Sequence, residues 1–301
     1  MTETAHTQHS PPAQPAAGAT PGEVQPRAAH GTPTPPALPV VSLMGVPLSR
    51  VTMAQAVDHI ARAARAGQGG WVMTPNLDIL RRLVKDPSFA SLTRAADVRL
   101  ADGMPLIWAS RLRGDPLPER VAGSDLIWHL TARAATDGLP VFLLGGNPGA
   151  GDAAARVLAE RSPGLPVCGV ECPPFGFESD QAYLAGLERA LLAANPSIVY
   201  VALGSPKQEH LIARLRPLLP RAWFLGIGVT FSFVAGEIAR APRWMQRLGL
   251  EWVHRLAREP RRLAKRYLID GVPFGVRLLV NAAMTRGQAE GQQPSEPPRE
   301  R

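Results

Sequence analysis

The sequence contains little cysteine and shows no recognisable metal-binding spacing. Among 301 residues only Cys168 and Cys172 are cysteines, and their CGVEC spacing matches neither a thioredoxin-type pair nor a zinc knuckle. We interpret both as ordinary thiols of a protein in a reducing cytoplasm. The sequence has no Asp-x-Asp pair, and no ligand spacing is shared by His59, His129, His210 and His254. We therefore expect no bound metal ion and no cofactor.

Several other signals are missing. No uninterrupted run of about 18 apolar residues occurs, which argues against a membrane-spanning helix. The N-terminus lacks the basic start and apolar core of a secretory signal, and no G-x-S-x-G or other nucleophile signature is present. Residues 1–39 are instead rich in Pro, Ala, Thr, Gln and Gly without an apolar period. We predict that this segment and the tail at 286–301 are disordered.

Residues 40–240 have the pattern of an α/β domain. The chain is 45% hydrophobic, enough for a full core. Apolar runs such as PVFLLGG (140–146) alternate with helical segments, one predicted to be capped by Thr52 and another by Ser124. Strands that are apolar along their whole length indicate a parallel sheet covered on both faces. The sequence therefore predicts a Rossmann-like fold with a mostly parallel sheet and helices on both faces.

Positive charge is concentrated after this domain. The net charge is +8, and between residues 240 and 277 ten Arg and Lys residues stand against three acidic ones. Residues 241–285 are predicted to form an appendage of short, basic, amphipathic helices broken by Pro260 and Pro273. The charge indicates an anionic partner for this end: a phosphate, an acidic membrane surface or nucleic acid.

Polar or glycine-rich segments follow four of the predicted strands. They are TPN (74–76), ADG (101–103), GGNPGAG (145–151) and GSPKQEH (204–210). The carboxyl ends of parallel strands lie along one edge of a sheet, so these segments are expected to converge on one cleft. Among their side chains, Asp102 is the first candidate for a proton acceptor and Glu209 the second.

Asp102 lies in RLADGMPLIW (99–108), which has two interpretations. Asp-Gly followed by Met-Pro is typical of a turn that opens a helix, because Gly103 is expected to supply a positive φ and Pro105 suits a first helical turn. A carboxylate at the end of a strand and beside a helix N-terminus is also where open α/β sheets place their chemistry. The fragment alone favours the turn.

Two alternative functions stay open at this point. GGNPGAG could hold a diphosphate through backbone N–H groups, although its spacing is not a dinucleotide fingerprint and a tight turn explains it about as well. Glu171 follows Gly151 by twenty residues, which keeps a nicotinamide-dependent sugar oxidoreductase as one alternative. The other alternative is a non-enzymatic nucleic-acid-binding protein. The basic end argues against it, because it has few aromatic residues on which bases could stack.

Four stretches together resemble the WecG/TagA/CpsF glycosyltransferases over about residues 41–267. They are TPNLDIL, RLADGMPLIWASRLRG with the following RVAGSDL, VALGSPKQEHLI, and GIGVTFSFVAGEIARAPRWMQRLGLEWVHRLAREPRRLAKRYL. The last is the most specific, because its Arg-Ala-Pro-x-Trp, Gly-Leu-Glu-Trp and Glu-Pro-Arg-Arg elements rarely occur together by chance.

The resemblance implies that an N-acetylmannosamine-type sugar is transferred from a UDP-sugar to a lipid-diphosphate-linked GlcNAc. The expected reaction inverts the anomeric centre, needs no metal, and serves cell-surface polysaccharide or teichoic-acid-type synthesis. Asp102 corresponds to the family's base, and Gln208, Arg255 and Arg262 are further candidate catalytic residues. With the strand-end segments included, the candidate substrate-binding residues are Thr74, Asn76, Gly145, Gly146, Gly204, Glu209, Ser232 and Lys265.

Two positions depart from the family pattern. Many relatives have Asp where this chain has Ser232, which weakens the expectation of uridine, and Lys265 replaces a more usual Arg. We expect the adjacent Arg266 to compensate for the bidentate contacts that a lysine cannot make. The expected partners are the UDP-sugar, the lipid-linked acceptor and an anionic membrane surface, with no nucleic acid. We expect a homo-oligomer in the cytoplasm, peripherally associated with the inner face of the cell membrane.

Overall fold

The computed structural model describes residues 37–287, and within that range every side chain except those of Arg243, Arg247 and Arg262. The predictions made for residues 1–36 and for the tail from 288 onward lie outside the described residues.

Six of the strands in residues 37–287 form one parallel sheet. The strands are β1 (Val40–Leu43), β2 (Val46–Ser49), β3 (Gly70–Met73), β4 (Val98–Arg99), β5 (Val141–Gly145), β6 (Val167–Glu171), β7 (Ile198–Ala202) and β8 (Trp223–Gly226). The sheet order is β4-β3-β8-β7-β5-β6 with every neighbouring pair parallel, while β1 and β2 form a separate antiparallel hairpin. Strands β3, β5, β7 and β8 are buried along their whole length. The predicted α/β architecture is confirmed.

Helices cover both faces of this sheet. They are α1 (Met53–Arg65), α2 (Leu77–Lys85), α3 (Pro87–Leu92), α4 (Met104–Arg113), α5 (Gly123–Asp137), α6 (Ala150–Arg161), α7 (Gln181–Ala194), α8 (Lys207–Leu215), α9 (Thr230–Val234), α10 (Arg243–Arg247), α11 (Glu251–Arg258), α12 (Pro260–Ala264) and α13 (Val272–Met284). Helices α1, α5, α6 and α9 share one hydrophobic core with the sheet, and α2, α3, α7 and α8 share the core on its other face.

The two predicted helix caps have different outcomes. Thr52 caps α1, where its hydroxyl accepts a hydrogen bond from the Gln55 amide and the Gln55 side chain accepts one from the Thr52 amide. The prediction that Ser124 caps α5 is wrong, because α5 begins at Gly123 and its N-cap is Ala122. The preceding residue, Val121, donates a backbone hydrogen bond to Ala101 at 2.9 Å, and the helix begins two residues earlier than it would with Ser124 as its N-cap.

A third hydrophobic core joins the C-terminal helices to the rest of the chain. Phe274, Leu278 and Ala282 on α13 are at most 2% exposed and pack with residues of the β1–β2 hairpin, α2 and α4. Complete burial of a phenylalanine or leucine side chain contributes about 2 to 3 kcal/mol each. Helix α13 therefore belongs to the core although it follows the sheet domain in sequence.

The two prolines predicted to break the C-terminal helices behave differently. The break at Pro260 is confirmed, since α11 ends at Arg258 and α12 starts at Pro260. The break at Pro273 is wrong: a π-helical segment, Lys265–Gly271, runs directly into α13, and Pro273 lies in the first turn of α13. In a π turn the regular i→i−4 hydrogen-bond pattern is already interrupted, so a residue without an N–H group disturbs the helix less there.

Together the π-helical segment and α13 make one 20-residue helix, Lys265–Met284. By length and composition alone this helix is long and apolar enough to cross a membrane. Asp270 and Arg277 interrupt its apolar residues, so the absence of an uninterrupted apolar run in the sequence does not exclude this helix. Packing against α4 accounts for the apolar residues on one side of the same helix.

Candidate active site

The C-terminal helices and the sheet domain enclose a cavity of about 360 Å³. Residues from α2 and α4 line it on one side, and residues from α11, the π-helical segment and α13 line it on the other. Much of the wall is apolar, including Met104, Trp108, Val272, Val276 and Leu279. The side chains in the lining that can ionise or donate hydrogen bonds include Asn76, Asp102, Arg120, Glu251, Arg255 and Arg266.

Close packing between Gly249 and α4 holds one end of the C-terminal helices against the sheet domain. Gly249 has φ +68°, and an added Cβ would lie 2.7 Å from Met104 Cβ. Only glycine meets both conditions without strain. This requirement explains the glycine in the Gly-Leu-Glu-Trp element of the sequence.

The loop after β4 holds Asp102 in the cavity wall. The Asp102 amide donates to the Pro75 carbonyl at 2.9 Å, which ties the loop after β4 to the loop after β3. Gly103 is the N-cap of α4, and Pro105 lies in the first turn of that helix. The expected left-handed φ at Gly103 is wrong, because its φ of 163° is extended backbone. Both interpretations of RLADGMPLIW therefore apply: the segment is a helix-opening turn, and the same turn presents a carboxylate to a cavity.

Burial dominates the electrostatics of Asp102. The side chain is 27% exposed, and this exposed part faces the cavity. Desolvation, assisted by the nearby carboxylates of Glu251 and Asp125, raises the pKa of Asp102 to about 6. Arg120 Nη1, 3.8 Å from Oδ1, and the Gly123 amide, which donates to Oδ2 at 3.4 Å, oppose that rise. A carboxylate with such a pKa is ionised at neutral pH and is a stronger base than an ordinary aspartate.

Arg120 connects Asp102 to an ionic network that includes the C-terminal helices. Its Nη1 donates to Glu251 Oε2 at 2.6 Å, and its Nη2 donates to Asp125 Oδ2 at 3.2 Å. Arg240 binds Asp125 through two hydrogen bonds, at 2.5 and 2.9 Å, and reaches Glu251 Oε1 at 3.4 Å. Three carboxylates thus face two guanidinium groups, leaving a net charge of −1 when all are ionised.

Asn76 and Asp78, at the start of α2, form the next part of the site. Asn76 Oδ1 caps α2 by accepting from the amides of Asp78 and Ile79, both at 3.1 Å, so its amide nitrogen is the group that can donate to a ligand. Asp78 is buried and pairs with Arg81 at 3.1 Å and with Arg266 at 2.9 Å. The pair with Arg266 fastens the π-helical segment to α2.

The basic residues singled out in the C-terminal helices have three different placements. Arg255 lines the cavity, and no described carboxylate lies within ion-pair distance of it. Lys265 is exposed and is not among the lining residues, whereas the adjacent Arg266 is. The backbone of Arg262 lies in α12, and its side chain is outside the described part of the structure. Arg255 and Arg266 are therefore the guanidinium groups that the C-terminal helices present to a ligand in the cavity, in addition to Arg120 from the sheet domain.

Three predicted residues lie buried beneath the neighbouring strand ends. Thr74 Oγ1 donates to the Gly226 carbonyl at 3.0 Å. Gln208 Oε1 accepts from the Gly228 amide at 3.0 Å, and Gln208 Nε2 donates to Glu209 Oε1 at 3.0 Å. Burial raises the pKa of Glu209. These contacts hold the loop after β8 in place. The side-chain groups of Thr74 and Gln208 that could bind a substrate already form hydrogen bonds within the protein.

Gly145, Gly146 and Gly204 mark a second location on the same sheet edge. They lie at the ends of β5 and β7, which are neighbours whose next helices, α6 and α8, lie on opposite faces of the sheet. Such a topological switch point opens a crevice at the strand ends. Ser232 lies beside it and accepts a hydrogen bond from Asn147 Nδ2 at 3.4 Å. With about 4.8 Å between strands, β7 is about 14 Å from β4, the strand that leads to Asp102.

A comparison with known protein families agrees with the sequence resemblance. The family described as Glycosyl transferase WecG/TagA/CpsF matches residues 41–288. The chain belongs to this glycosyltransferase family. The matched range extends from β1 to the end of α13, so the family's sequence pattern includes the C-terminal helices that close the cavity.

Family membership identifies the chain as a glycosyltransferase and favours that class over both alternatives. Glu171, the residue that kept a nicotinamide cofactor in consideration, accepts a hydrogen bond from the Tyr183 hydroxyl at 2.7 Å. Its carboxylate is therefore already engaged within the protein at the end of β6.

Four residues of the ionic network were not singled out from the sequence. Arg120 and Asp125 lie in RVAGSDL, Glu251 in Gly-Leu-Glu-Trp and Arg240 in IARAPRW, all within the stretches that carry the WecG/TagA/CpsF resemblance. Their presence in those stretches was the available signal. Nothing in their spacing indicates that they meet, because Arg120 and Glu251 are 131 positions apart.

Proposed function

We propose that this glycosyltransferase moves an N-acetylmannosamine-type sugar from a UDP-sugar to a lipid-diphosphate-linked GlcNAc, with inversion and without a metal ion. Asp102 takes the proton of the attacking acceptor hydroxyl as that oxygen bonds to the anomeric carbon. The bond between the anomeric carbon and the diphosphate breaks, and UDP leaves with the electron pair. The observation that carries the proposal is Asp102 itself, a carboxylate with a pKa of about 6 in the wall of a cavity large enough for a sugar.

Arginine side chains are suited to stabilise the leaving diphosphate. Arg255 and Arg266 both line the cavity, and Arg255 has no carboxylate partner among the described residues. In residues 37–287 no group of three or more His, Cys, Asp or Glu side chains is arranged to hold a metal ion. Guanidinium groups make strong, bidentate hydrogen bonds to phosphate oxygens and so supply the charge compensation that a divalent ion provides in other enzymes.

The two locations on the sheet edge suggest how donor and acceptor are arranged. The nucleotide lies at the crevice between β5 and β7, near Gly145, Gly204 and Ser232, and the sugar extends toward Asp102. A distance of about 14 Å separates the two strand positions, which an extended nucleoside-diphosphate sugar spans. The acceptor enters the cavity from the side of the C-terminal helices.

The apolar part of the C-terminal helices suits a lipid-linked acceptor. Ile269, Val272, Val276, Val280 and Met284 are each at least 46% exposed, and they follow one another at helical spacing along the Lys265–Met284 helix. Val272 and Val276 also line the cavity, so this apolar stripe adjoins the cavity. Exposed Arg258, Arg261 and Lys265 lie nearby in sequence. An apolar stripe accompanied by cations favours the interface of an anionic membrane, so we propose that the enzyme binds the inner face of the cell membrane. The homo-oligomer remains an expectation from the family resemblance.

The test is a transfer assay with a panel of UDP-sugars and a short, water-soluble lipid-diphosphate-GlcNAc analogue, in which UDP release and the glycosylated product are both measured. We expect product only with an N-acetylmannosamine-type donor. Transfer from a different class of nucleotide sugar would overturn the donor assignment, and binding of NAD without binding of UDP would favour the oxidoreductase alternative.

A further inference from the structure

We propose that Glu251 is a positioning residue for the base: it holds the Arg120 guanidinium in a bridge to the C-terminal helices and beyond hydrogen-bonding distance of Asp102. The inference rests on the proposed role of Asp102 in sugar transfer. It adds a residue of α11 whose effect on the reaction is exerted through another side chain.

The distances around Arg120 carry the inference. The same nitrogen, Nη1, lies 2.6 Å from Glu251 Oε2 and 3.8 Å from Asp102 Oδ1, so the two carboxylate oxygens are no more than about 6.4 Å apart. The short contact is the one with Glu251, and the second nitrogen, Nη2, is held by Asp125 at 3.2 Å. Arg120 is 14% exposed, so its guanidinium has little water to replace a lost partner.

Loss of the Glu251 charge has two effects with the same direction. It removes the repulsion between two neighbouring carboxylates, and it frees Nη1 to approach Asp102. Each effect stabilises the ionised form of Asp102 and makes that carboxylate a weaker base. In the wild-type protein Glu251 therefore keeps Asp102 basic enough to accept a proton from a hydroxyl group.

The other charged groups near Asp102 do not substitute for Glu251. Asp125 and Arg240 pair with each other in the same network, and His129 faces Asp125. On the side of α2, Asp78 pairs with Arg266. On the side of the C-terminal helices, Arg255 and Tyr267 line the cavity. The other lining residues that α4 and α13 contribute are uncharged, and Gly123 on α5 contributes its backbone N–H. Glu251 is the carboxylate that contacts Arg120 from the C-terminal side.

Because Glu251 belongs to α11, docking of the C-terminal helices controls the strength of the base. When α11 is in place, Arg120 is occupied by Glu251. When α11 is displaced, Arg120 is free to move from 3.8 Å into direct hydrogen-bonding contact with Asp102, which makes that carboxylate a weaker base. The enzyme is then most reactive when the cavity is closed.

The experiment compares the pH dependence of kcat/KM for the full-length enzyme and Glu251→Gln on a water-soluble acceptor. Glutamine keeps an oxygen for Arg120 and removes the charge. We expect the acidic limb, near pH 6 in the wild type, to move to lower pH by about half to one unit, and turnover on the plateau to fall about threefold. The matched control is Glu237→Gln, an exposed carboxylate with no ion pair among the described residues, which leaves the limb unmoved.

Two further variants separate positioning from a general structural role. Glu251→Asp keeps the charge and is expected to restore the limb to near its wild-type position. In an Arg120→Gln background, Glu251→Gln is expected to move the limb by less than it does in the wild type, because only the direct repulsion remains to be removed. An equal shift in both backgrounds, or a limb that Glu251→Gln leaves in place, overturns the inference.

Titration of the Asp102 carboxyl carbon by NMR makes the same comparison without turnover, with Asp102→Asn to identify the signal. A lower pKa in Glu251→Gln than in the wild type is expected, and equal values overturn the inference. Absence of sugar transfer by the wild-type enzyme would instead contradict the proposed function, so the two failures are distinguishable.

Discussion

Replacing Asp102 by asparagine is expected to stabilise the fold at neutral and alkaline pH. In the folded protein the pKa of Asp102 is about 6 instead of 3.8, so ionisation of this carboxyl is unfavourable to folding. Two pKa units correspond to about 3 kcal/mol, and the side chain is partly exposed to the cavity, so we expect a gain of about 1 to 3 kcal/mol at pH 8. Asparagine also leaves Arg120 and Arg240 balanced by Asp125 and Glu251.

The sign of the pH dependence follows from proton binding. Because the folded state holds the Asp102 proton more tightly than the unfolded state, that stability is fully present below about pH 4 and is lost as the pH rises through about 6. Asparagine does not titrate. The difference in the free energy of unfolding between Asp102→Asn and wild type is therefore smallest near pH 4 and largest above pH 7.

Urea denaturation at pH 4.5, 6 and 8 measures this difference. The matched control is Asp152→Asn, which removes an exposed carboxylate from the first turn of α6 and is expected to destabilise the protein by a few tenths of a kcal/mol. A gain for Asp102→Asn that does not change with pH, or no gain at pH 8, would refute the reasoning about a desolvated carboxylate.

Three further predictions concern the leaving group, metal dependence and docking of the C-terminal helices. Arg255→Ala is expected to lower turnover at least about tenfold on a water-soluble acceptor without membranes, while the free energy of liposome binding changes by only about 1 kcal/mol. Loss of activity only when membranes are present would show that Arg255 binds the membrane and does not act in catalysis. Transfer is expected to persist in excess EDTA, and its loss with recovery in Mg²⁺ or Mn²⁺ would contradict metal-independent catalysis. Gly249→Ala is expected to destabilise the protein by about 1 to 3 kcal/mol and to reduce activity, because its Cβ meets Met104. Gly236→Ala, at φ +78° with open space around the position, is the control for backbone strain and is expected to have the smaller effect in thermal unfolding.

The sheet was predictable because its strands carry a local signal. Runs such as residues 140–146 are apolar at every position, as strands covered on both faces must be, and the capping box at Thr52 marks a helix start within four residues. The cap predicted at Ser124 failed because a backbone contact between Val121 and Ala101 sets the start of α5. That contact joins two loops and leaves no trace in the local sequence.

The site was only partly predictable for a related reason. Asp102, Asn76 and Arg255 were found from motifs, and all three line the cavity. The ionic network was missed because it joins residues more than 100 positions apart, and no spacing rule covers such a pair. The π-helical segment also lacks a local sequence signal. Its register places Arg266 in the cavity wall and leaves Lys265 in solvent.

The most direct test of Asp102 as the base is single-turnover transfer by Asp102→Asn, measured beside UDP binding by the same protein. Asparagine preserves the size and hydrogen-bonding capacity of the side chain and removes its basicity, so turnover is expected to fall about 100-fold or more while UDP binds with nearly unchanged affinity. Glu209→Gln, which alters the second candidate acceptor, is the comparison and is expected to retain much more activity than Asp102→Asn. Near-wild-type transfer by Asp102→Asn would contradict the assignment.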